Sequence, residues 1–108
     1  KTRGLDAARL AADQLCTRPA RFFGLEHKGS IAVGKDADLA VLEPGAFTFD
    51  EQTAHDGLKW SPFHGETFSA RVAATYLRGA LVWNGSEVLN TPGTGHFVPR
   101  GQVSWFSN

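Results

Sequence analysis

The sequence predicts an α+β fold in which a helical N-terminal part precedes a small β-sheet. Apolar residues recur at three- and four-residue spacing at Leu5, Ala8, Ala12 and Leu15, which places them on one face of a helix. From residue 29 onward, short apolar runs alternate with Gly, Asp and Pro, which is the pattern of strands joined by turns. The boundary between the two parts is predicted near Leu25, where helical spacing gives way to strand spacing.

A second, shorter helix is predicted immediately after the first. Thr17 is expected to cap it, because Pro19 then falls in the first turn, where its missing N–H costs nothing. Phe22 and Phe23 are its predicted buried side chains, and Gly24 is the predicted left-handed C-cap.

The segment GSIAVGKDADLAVLEP, residues 29–44, predicts two strands joined by a tight turn. Residues 31–33 are β-branched at alternate positions, whereas residues 39–42 are apolar at four successive positions, as in a strand covered on both faces. The turn is predicted at residues 34–38, and Pro44 with Gly45 is expected to end the second strand.

A hairpin is predicted further along the chain. Residues 71–77 and 80–83 are its two strands, and Arg78-Gly79 is the turn between them. Asn84-Gly85 is a second turn signal, after which Val88 and Leu89 are expected to pair briefly. A short edge strand is also predicted around Phe47 and Phe49. In the tail, Trp105 and Phe106 indicate either a docking segment or a disordered end.

Composition restricts the class of protein. The 108 residues are 42% hydrophobic, with eight Phe and three Trp, so the chain is expected to fold. Eleven basic residues balance eleven acidic ones, without the basic stripe of a nucleic-acid binder. No apolar run approaches the roughly 20 residues of a membrane span. The single Cys16 is typical of a cytoplasmic protein, and the absence of Met predicts a piece of a longer chain.

Three blocks, in the same order along the chain, resemble cyclic amidohydrolases, a family that includes allantoinase, dihydroorotase and the dihydropyrimidinase–hydantoinase group. GSIAVGKDADLAVLEP resembles the segment that leads from the last barrel helix into the family's small β domain. RPARFFGL, residues 18–25, resembles the short helix upstream of it. SPFHGETF, residues 61–68, followed by residues 72–82, resembles the C-terminal hairpin.

This resemblance implies a C-terminal fragment with N-terminal helices from the end of a (β/α)8 barrel, followed by part of a small β-sandwich domain. Residues 1–25 would be the last barrel helices, residues 26–90 the C-terminal part of the small β domain, and residues 91–108 an irregular tail. The implied partners are the remainder of the same enzyme chain, further copies in a homo-oligomer, and a small cyclic amide. Neither a nucleic acid nor a membrane is expected as a partner.

The implied activity is hydrolysis of a cyclic amide by a parent enzyme with a divalent metal pair, usually zinc. Allantoin is the first expected substrate because KWSPFHGETF, residues 59–68, looks most like the allantoinase version of this block. Hydantoins, dihydropyrimidines and dihydroorotate follow, since the tail GTGHFVPRG, residues 93–101, resembles the hydantoinase group as well. The alternative is a stand-alone β-rich protein-interaction module without catalysis.

No catalytic, cofactor-binding or metal-binding residue is assigned to this chain, and the fragment is expected to be inactive alone. The family's ligands are an HxH pair, a carboxylated Lys, two further His and an Asp in the barrel, and no position here matches those motifs. The residues weighed for other chemistry are expected to be structural: His27, His55, His64, His96, the pair Asp36 and Asp38, the loop set Ser61, His64 and Glu66, Cys16 as a small buried residue, and Gly93-Thr94-Gly95.

Overall fold

A computed structural model describes residues 5–101 of the chain. Two helices, α1 (Leu5–Ala12) and α2 (Arg18–Phe22), are joined by a π-helical turn at Asp13–Thr17. Three antiparallel strands follow, β1 (Leu39–Thr48), β2 (Thr67–Leu77) and β3 (Ala80–Trp83), in the order β1-β2-β3. A short 3-10 helix, Glu51–Thr53, lies between β1 and β2. The α+β class is therefore confirmed at the level of a small helical part and a three-stranded sheet.

The helical part is continuous, so the predicted cap at Thr17 is wrong. Thr17 has helical dihedrals (φ −66°, ψ −51°), and its hydroxyl donates instead to the carbonyl of Gly29 at 2.7 Å. The backbone N–H of Arg18 reaches back five residues to Asp13, which makes this turn wider than an α-helical turn. A proline ring would clash with the carbonyl four residues earlier in an α-helix, so the wider turn allows Pro19 to follow without a break.

The predicted C-cap at Gly24 is confirmed. Gly24 has φ +70°, and its N–H donates to Arg21 while that of Leu25 donates to Ala20 at 2.8 Å, which is the Schellman motif. Burial of Phe22 and Phe23 is a wrong prediction, because both are exposed and their rings meet edge-to-face at 4.8 Å. Both helices contact the π-helical turn between them but none of the described strands.

The first predicted strand, residues 31–33, is wrong. These residues form bends and a turn, with Lys35 donating to the carbonyl of Ala32 at 3.1 Å, and both Ile31 and Val33 are almost fully exposed. A strand needs a neighbour that accepts its backbone hydrogen bonds, and the described sheet offers none to this segment. The predicted turn that follows is confirmed at Gly34, which has φ +91°.

The second predicted strand is confirmed but is longer than expected. β1 passes through Pro44 and Gly45 and includes Phe47, with a register irregularity between Pro44 and Phe47. Proline removes a ladder donor, which is tolerated here because β1 is an edge strand of the described sheet. The predicted edge strand around Phe47 is thus the second half of β1.

The hairpin prediction is confirmed, although its first strand, β2, begins at Thr67, four residues before the predicted start. β2 and β3 are joined by Arg78 (φ 49°) and Gly79 (φ 84°), which is the pair of positive φ angles of a type I′ turn. After β3, the Asn84 side chain accepts hydrogen bonds from the N–H groups of Ser86 and Glu87. The brief pairing of Val88 is present as a single bridge to Trp83.

Candidate functional site

Four residues form the most connected polar group of the described chain, and we call them the lysine–aspartate junction: Lys28, Asp36, Asp38 and Arg78. The Lys28 ammonium lies 2.9 Å from the Asp36 carboxylate and also donates to Asp38. The second oxygen of Asp38 accepts the backbone N–H of Arg78 at 2.9 Å. The junction therefore ties the loop after α2 to the turn between β2 and β3.

The junction explains the Asp36-Ala37-Asp38 pattern without a bound cation. Both carboxylates are occupied by Lys28, and the neighbouring carbonyl of Ala37 accepts the N–H of Gly79 at 2.9 Å. The expectation of turn stabilisation is confirmed, although the stabilised turn is the distant β2–β3 turn as well as the local one. The hydrogen bond from Lys28 holds the pKa of Asp38 below its ordinary value, and Asp38 followed by Asp36 raises the pKa of Lys28.

We expect Asp38→Ala to loosen the β2–β3 turn far more than Asp36→Ala. Asp38 accepts from both Lys28 and the Arg78 amide, whereas Asp36 contacts only the ammonium and is more exposed. Hydrogen bonds to a charged group contribute about 1.5–3 kcal/mol, so hydrogen exchange of the Arg78 amide should accelerate about 10- to 100-fold. Asp36→Ala is the matched control and should accelerate it by less than about fivefold. Equal effects of the two changes would contradict this role for Asp38.

The junction should also lose its contribution in acid. The pKa of Asp38 is lowered by folding, so its contribution is present above the ordinary aspartate pKa and is lost as pH falls below about 4, through the lowered value. Because the pKa of Lys28 is raised by folding, its contribution to stability is present at lower pH and is lost in alkali, as pH rises above about 10. The amide chemical shift of Arg78 should follow the acid transition, and Asp38→Ala should remove it.

The four histidines and the loop set considered for catalysis lie on turns and loops, where His27, Ser61 and His64 make structural hydrogen bonds. His64 accepts the backbone N–H of Glu51 at its Nδ1 atom, 3.1 Å away, and the hydroxyl of Ser61 accepts the N–H of Phe63. His27 contacts the carbonyl of Gly34 through Nδ1 at 3.2 Å. His55 and His96 lie on loops. These arrangements do not bring a nucleophile and a base together.

Cys16 lies at the surface, and the GTG segment, residues 93–95, anchors a loop. Cys16 is exposed in the π-helical turn, so its expected burial is wrong, since nothing in the described chain packs over that side of the helix. Thr94 of the GTG segment accepts hydrogen bonds from Arg78 and Asn90, as a loop anchor does. Within residues 5–101, no three His, Cys, Asp or Glu side chains form a group that could hold a metal ion. A metal pair therefore does not fit the described part of the chain.

One face of the sheet carries a row of apolar side chains that we call the apolar stripe: Leu42, Pro44, Phe47, Phe68, Ala70 and Val72. Leu42 lies opposite Val72, Pro44 opposite Ala70 and Phe47 opposite Phe68, and directly opposed residues share a face. The ring of Phe63 extends the row at 6.5 Å from Phe68. The neighbouring pair, Glu43 and Arg71, forms an ion pair at 3.2 Å instead.

The apolar stripe is uncovered. Leu42 is 54% exposed, and Phe68 and Val72 are also exposed, so the predicted two-sided burial of residues 39–42 is wrong for the described chain. The reason is that no described helix contacts any strand. Ala20, at 7% exposure, is the one buried hydrophobic residue of the described part. Contiguous exposed apolar residues on this scale mark a surface that contacts other protein.

None of the described helices has the length and apolar content needed to cross a bilayer. The predicted docking role of Trp105 and Phe106 concerns residues outside the described range.

Comparison with known proteins gives consistent matches over most of the chain. A family model described as the amidohydrolase family matches residues 7–83. An allantoinase from Deinococcus radiodurans is 45% identical over 91 residues, which cover 83% of this chain and 20% of that protein. An allantoinase from Rubrobacter xylanophilus is 42% identical over 97 residues, which cover 89% of this chain and 21% of that protein.

A solved structure gives the same result for the fold. The L-hydantoinase (dihydropyrimidinase) from Arthrobacter aurescens superposes with a TM-score of 0.80 and 34% sequence identity, over 92% of this chain and 23% of that one. The chain thus spans about a fifth of the length of the relatives that it matches.

Proposed function

The chain belongs to the amidohydrolase family, and on that premise we propose that it is the C-terminal structural part of an enzyme that hydrolyses a cyclic amide ring. The proposed substrate is allantoin, with hydantoins or dihydropyrimidines next and dihydroorotate after them. We call the proposed portion of the enzyme that precedes residue 1 the barrel part.

The observation that carries this proposal is the uncovered apolar stripe. A chain with 42% hydrophobic residues buries a single hydrophobic residue within its described part, so it needs further protein to complete a core. The relatives indicate where this further protein would come from, because the chain matches only about a fifth of their length. In this proposal, the stripe packs against strands of the same enzyme that lie outside the chain.

The catalytic chemistry of the proposed enzyme resides in the barrel part. The chemistry that a divalent metal pair, zinc by expectation, would supply there is a bound water of lowered pKa. No residue of this chain is proposed as a ligand. Its contribution is to hold the last helix and the small sheet in place around the barrel.

We also propose that the enzyme is a cytoplasmic homo-oligomer. The outer edge of β1 is open to pairing in the described sheet, and such an edge recruits other chains. Light scattering on the complete enzyme should give a mass that is a multiple of one chain. A monomeric enzyme at micromolar concentration would contradict the oligomer.

The substrate proposal is tested on the complete enzyme, produced from the coding frame extended upstream of Lys1. Ring opening is measured for allantoin, hydantoin, dihydropyrimidine and dihydroorotate, before and after treatment with a chelator. We expect allantoin to be opened fastest and the chelator to abolish the reaction. Preference for another ring would replace the substrate within the same reaction class. If none of the rings is opened, or if no frame continues upstream, the protein-interaction module without catalysis is supported instead.

A further inference from the structure

A pocket of about 350 Å³ lies between the end of the helical part and the loop that follows it. Its wall includes Ala20, Gly24 and Ser30, together with the cationic side chains of Arg21 and Lys35. The pocket is separate from the apolar stripe, and Lys28 is the one residue that it shares with the junction.

The described chain returns to the rim of this pocket at its last residue. The N–H of Gly101 donates to the carbonyl of Gly24 at 2.6 Å. The two backbones are so close that a Cβ atom at Gly24 would lie 2.6 Å from the carbonyl oxygen of Gly101. Gly101 also lies against the carboxylate of Glu26, another residue of the pocket wall. The last described residue, Gly101, therefore lies beside the pocket.

We propose that residues 102–108 (QVSWFSN) dock into this pocket of the same chain, with the ring of Trp105 against the Arg21 guanidinium. Trp105 is four positions after Gly101, so an extended backbone would span about 14 Å between their Cα atoms, which is enough to reach into the pocket. This inference does not depend on the proposed reaction.

One contact between the two surfaces is complementary, and it involves Arg21; the pocket wall also carries the charged side chains of Glu26, Lys28 and Lys35. The segment carries no charged side chain and contributes Val103, Trp105 and Phe106. A guanidinium over an aromatic face is attracted by the ring quadrupole, and tryptophan is the best partner for it. The apolar stripe contains no cationic side chain. It would therefore offer an aromatic ring apolar packing but no cation–π contact.

The test uses three disulfide pairs in the complete 108-residue chain, with Cys16→Ser to remove the native thiol. Ser104→Cys, next to Trp105, is combined in turn with Ser30→Cys on the pocket wall, Ala70→Cys in the apolar stripe, and Ser86→Cys in the exposed turn after β3. Intramolecular disulfide formation is then timed under mild oxidation. None of these changes removes an aromatic ring of the docking segment.

We expect the Ser30 pair to form about tenfold or more faster than the Ser86 pair, because docking raises the effective concentration of one thiol at the other. The Ser30 pair closes the longest loop of the three, so chain length alone would make it the slowest. Arg21→Glu should slow it about two- to fivefold, as expected for a cation–π contact, and Arg9→Glu is the matched charge reversal that should leave it unchanged.

Each other outcome overturns the proposal. The fastest reaction at Ala70 would place the segment on the apolar stripe. A Ser30 disulfide found only in covalent dimers would mean that the segment docks on a second copy. Rates that follow loop length, fastest at Ser86, would mean that the segment does not dock, whether or not the rest of the chain is folded.

Discussion

Leu42→Asp should abolish the recovery of ring-opening activity when the chain is combined with the barrel part of the enzyme. Leu42 is 54% exposed in the chain alone, so the carboxylate would stay hydrated there and the sheet would still form. In the proposed enzyme, the apolar stripe is covered, and an unpaired buried charge costs several kcal/mol. A penalty of more than about 3 kcal/mol weakens association by more than about 100-fold.

Ser69→Asp is the matched control, because it introduces the same charge one position before Ala70 on the same strand, where alternation places it on the other face. We expect this variant to retain most of the recovered activity. Activity is measured as the concentration of chain that restores half of the maximal rate. If Leu42→Asp restores the rate as well as Ser69→Asp does, the stripe is not the contact surface.

Gly29→Ala should be the most damaging single change where the loop after α2 packs on the helical part. Gly29 has φ +92°, and a Cβ atom there would lie 2.6 Å from the Cβ of Ala20 and 2.9 Å from the carbonyl oxygen of Cys16. The strained backbone and the overpacking add, for a loss of roughly 2–6 kcal/mol in the free energy of unfolding. The urea midpoint of the chain bound to the barrel part, followed by circular dichroism, measures this loss.

Gly34→Ala separates the two causes. Gly34 has nearly the same φ, +91°, but a Cβ atom there meets nothing within 4 Å. This variant should therefore lose only the backbone contribution of about 1–3 kcal/mol. Equal midpoints for the two variants would mean that the close packing of Gly29 on the helix contributes nothing.

The features that the sequence predicted correctly depend on local chemistry. Arg78-Gly79 and Asn84-Gly85 form turns because their dihedral preferences are satisfied within two residues. Gly24 ends the helix for the same reason, since the Schellman hydrogen bonds span only six residues. The amidohydrolase resemblance, stated from three short blocks, is confirmed by the family match over residues 7–83.

The wrong predictions concern contacts that are distant in sequence or outside the described chain. Residues 31–33 have the composition of a strand but no strand beside them to pair with. Phe22, Phe23 and Leu42 are residue types typical of a core, yet their side chains are exposed in the described chain. The contact of Asp38 with Arg78, 40 residues further along, leaves no local signal beyond the turn-forming character of the aspartate.

We propose that this chain completes its core within a larger amidohydrolase. The most direct test is to mix the purified chain with the separately produced barrel part. We expect that neither piece opens allantoin or a related ring alone, that the mixture does, and that the β1 amides become protected from hydrogen exchange. A chain that is a homogeneous monomer with cooperative unfolding, and that restores no ring opening in the mixture, would contradict it.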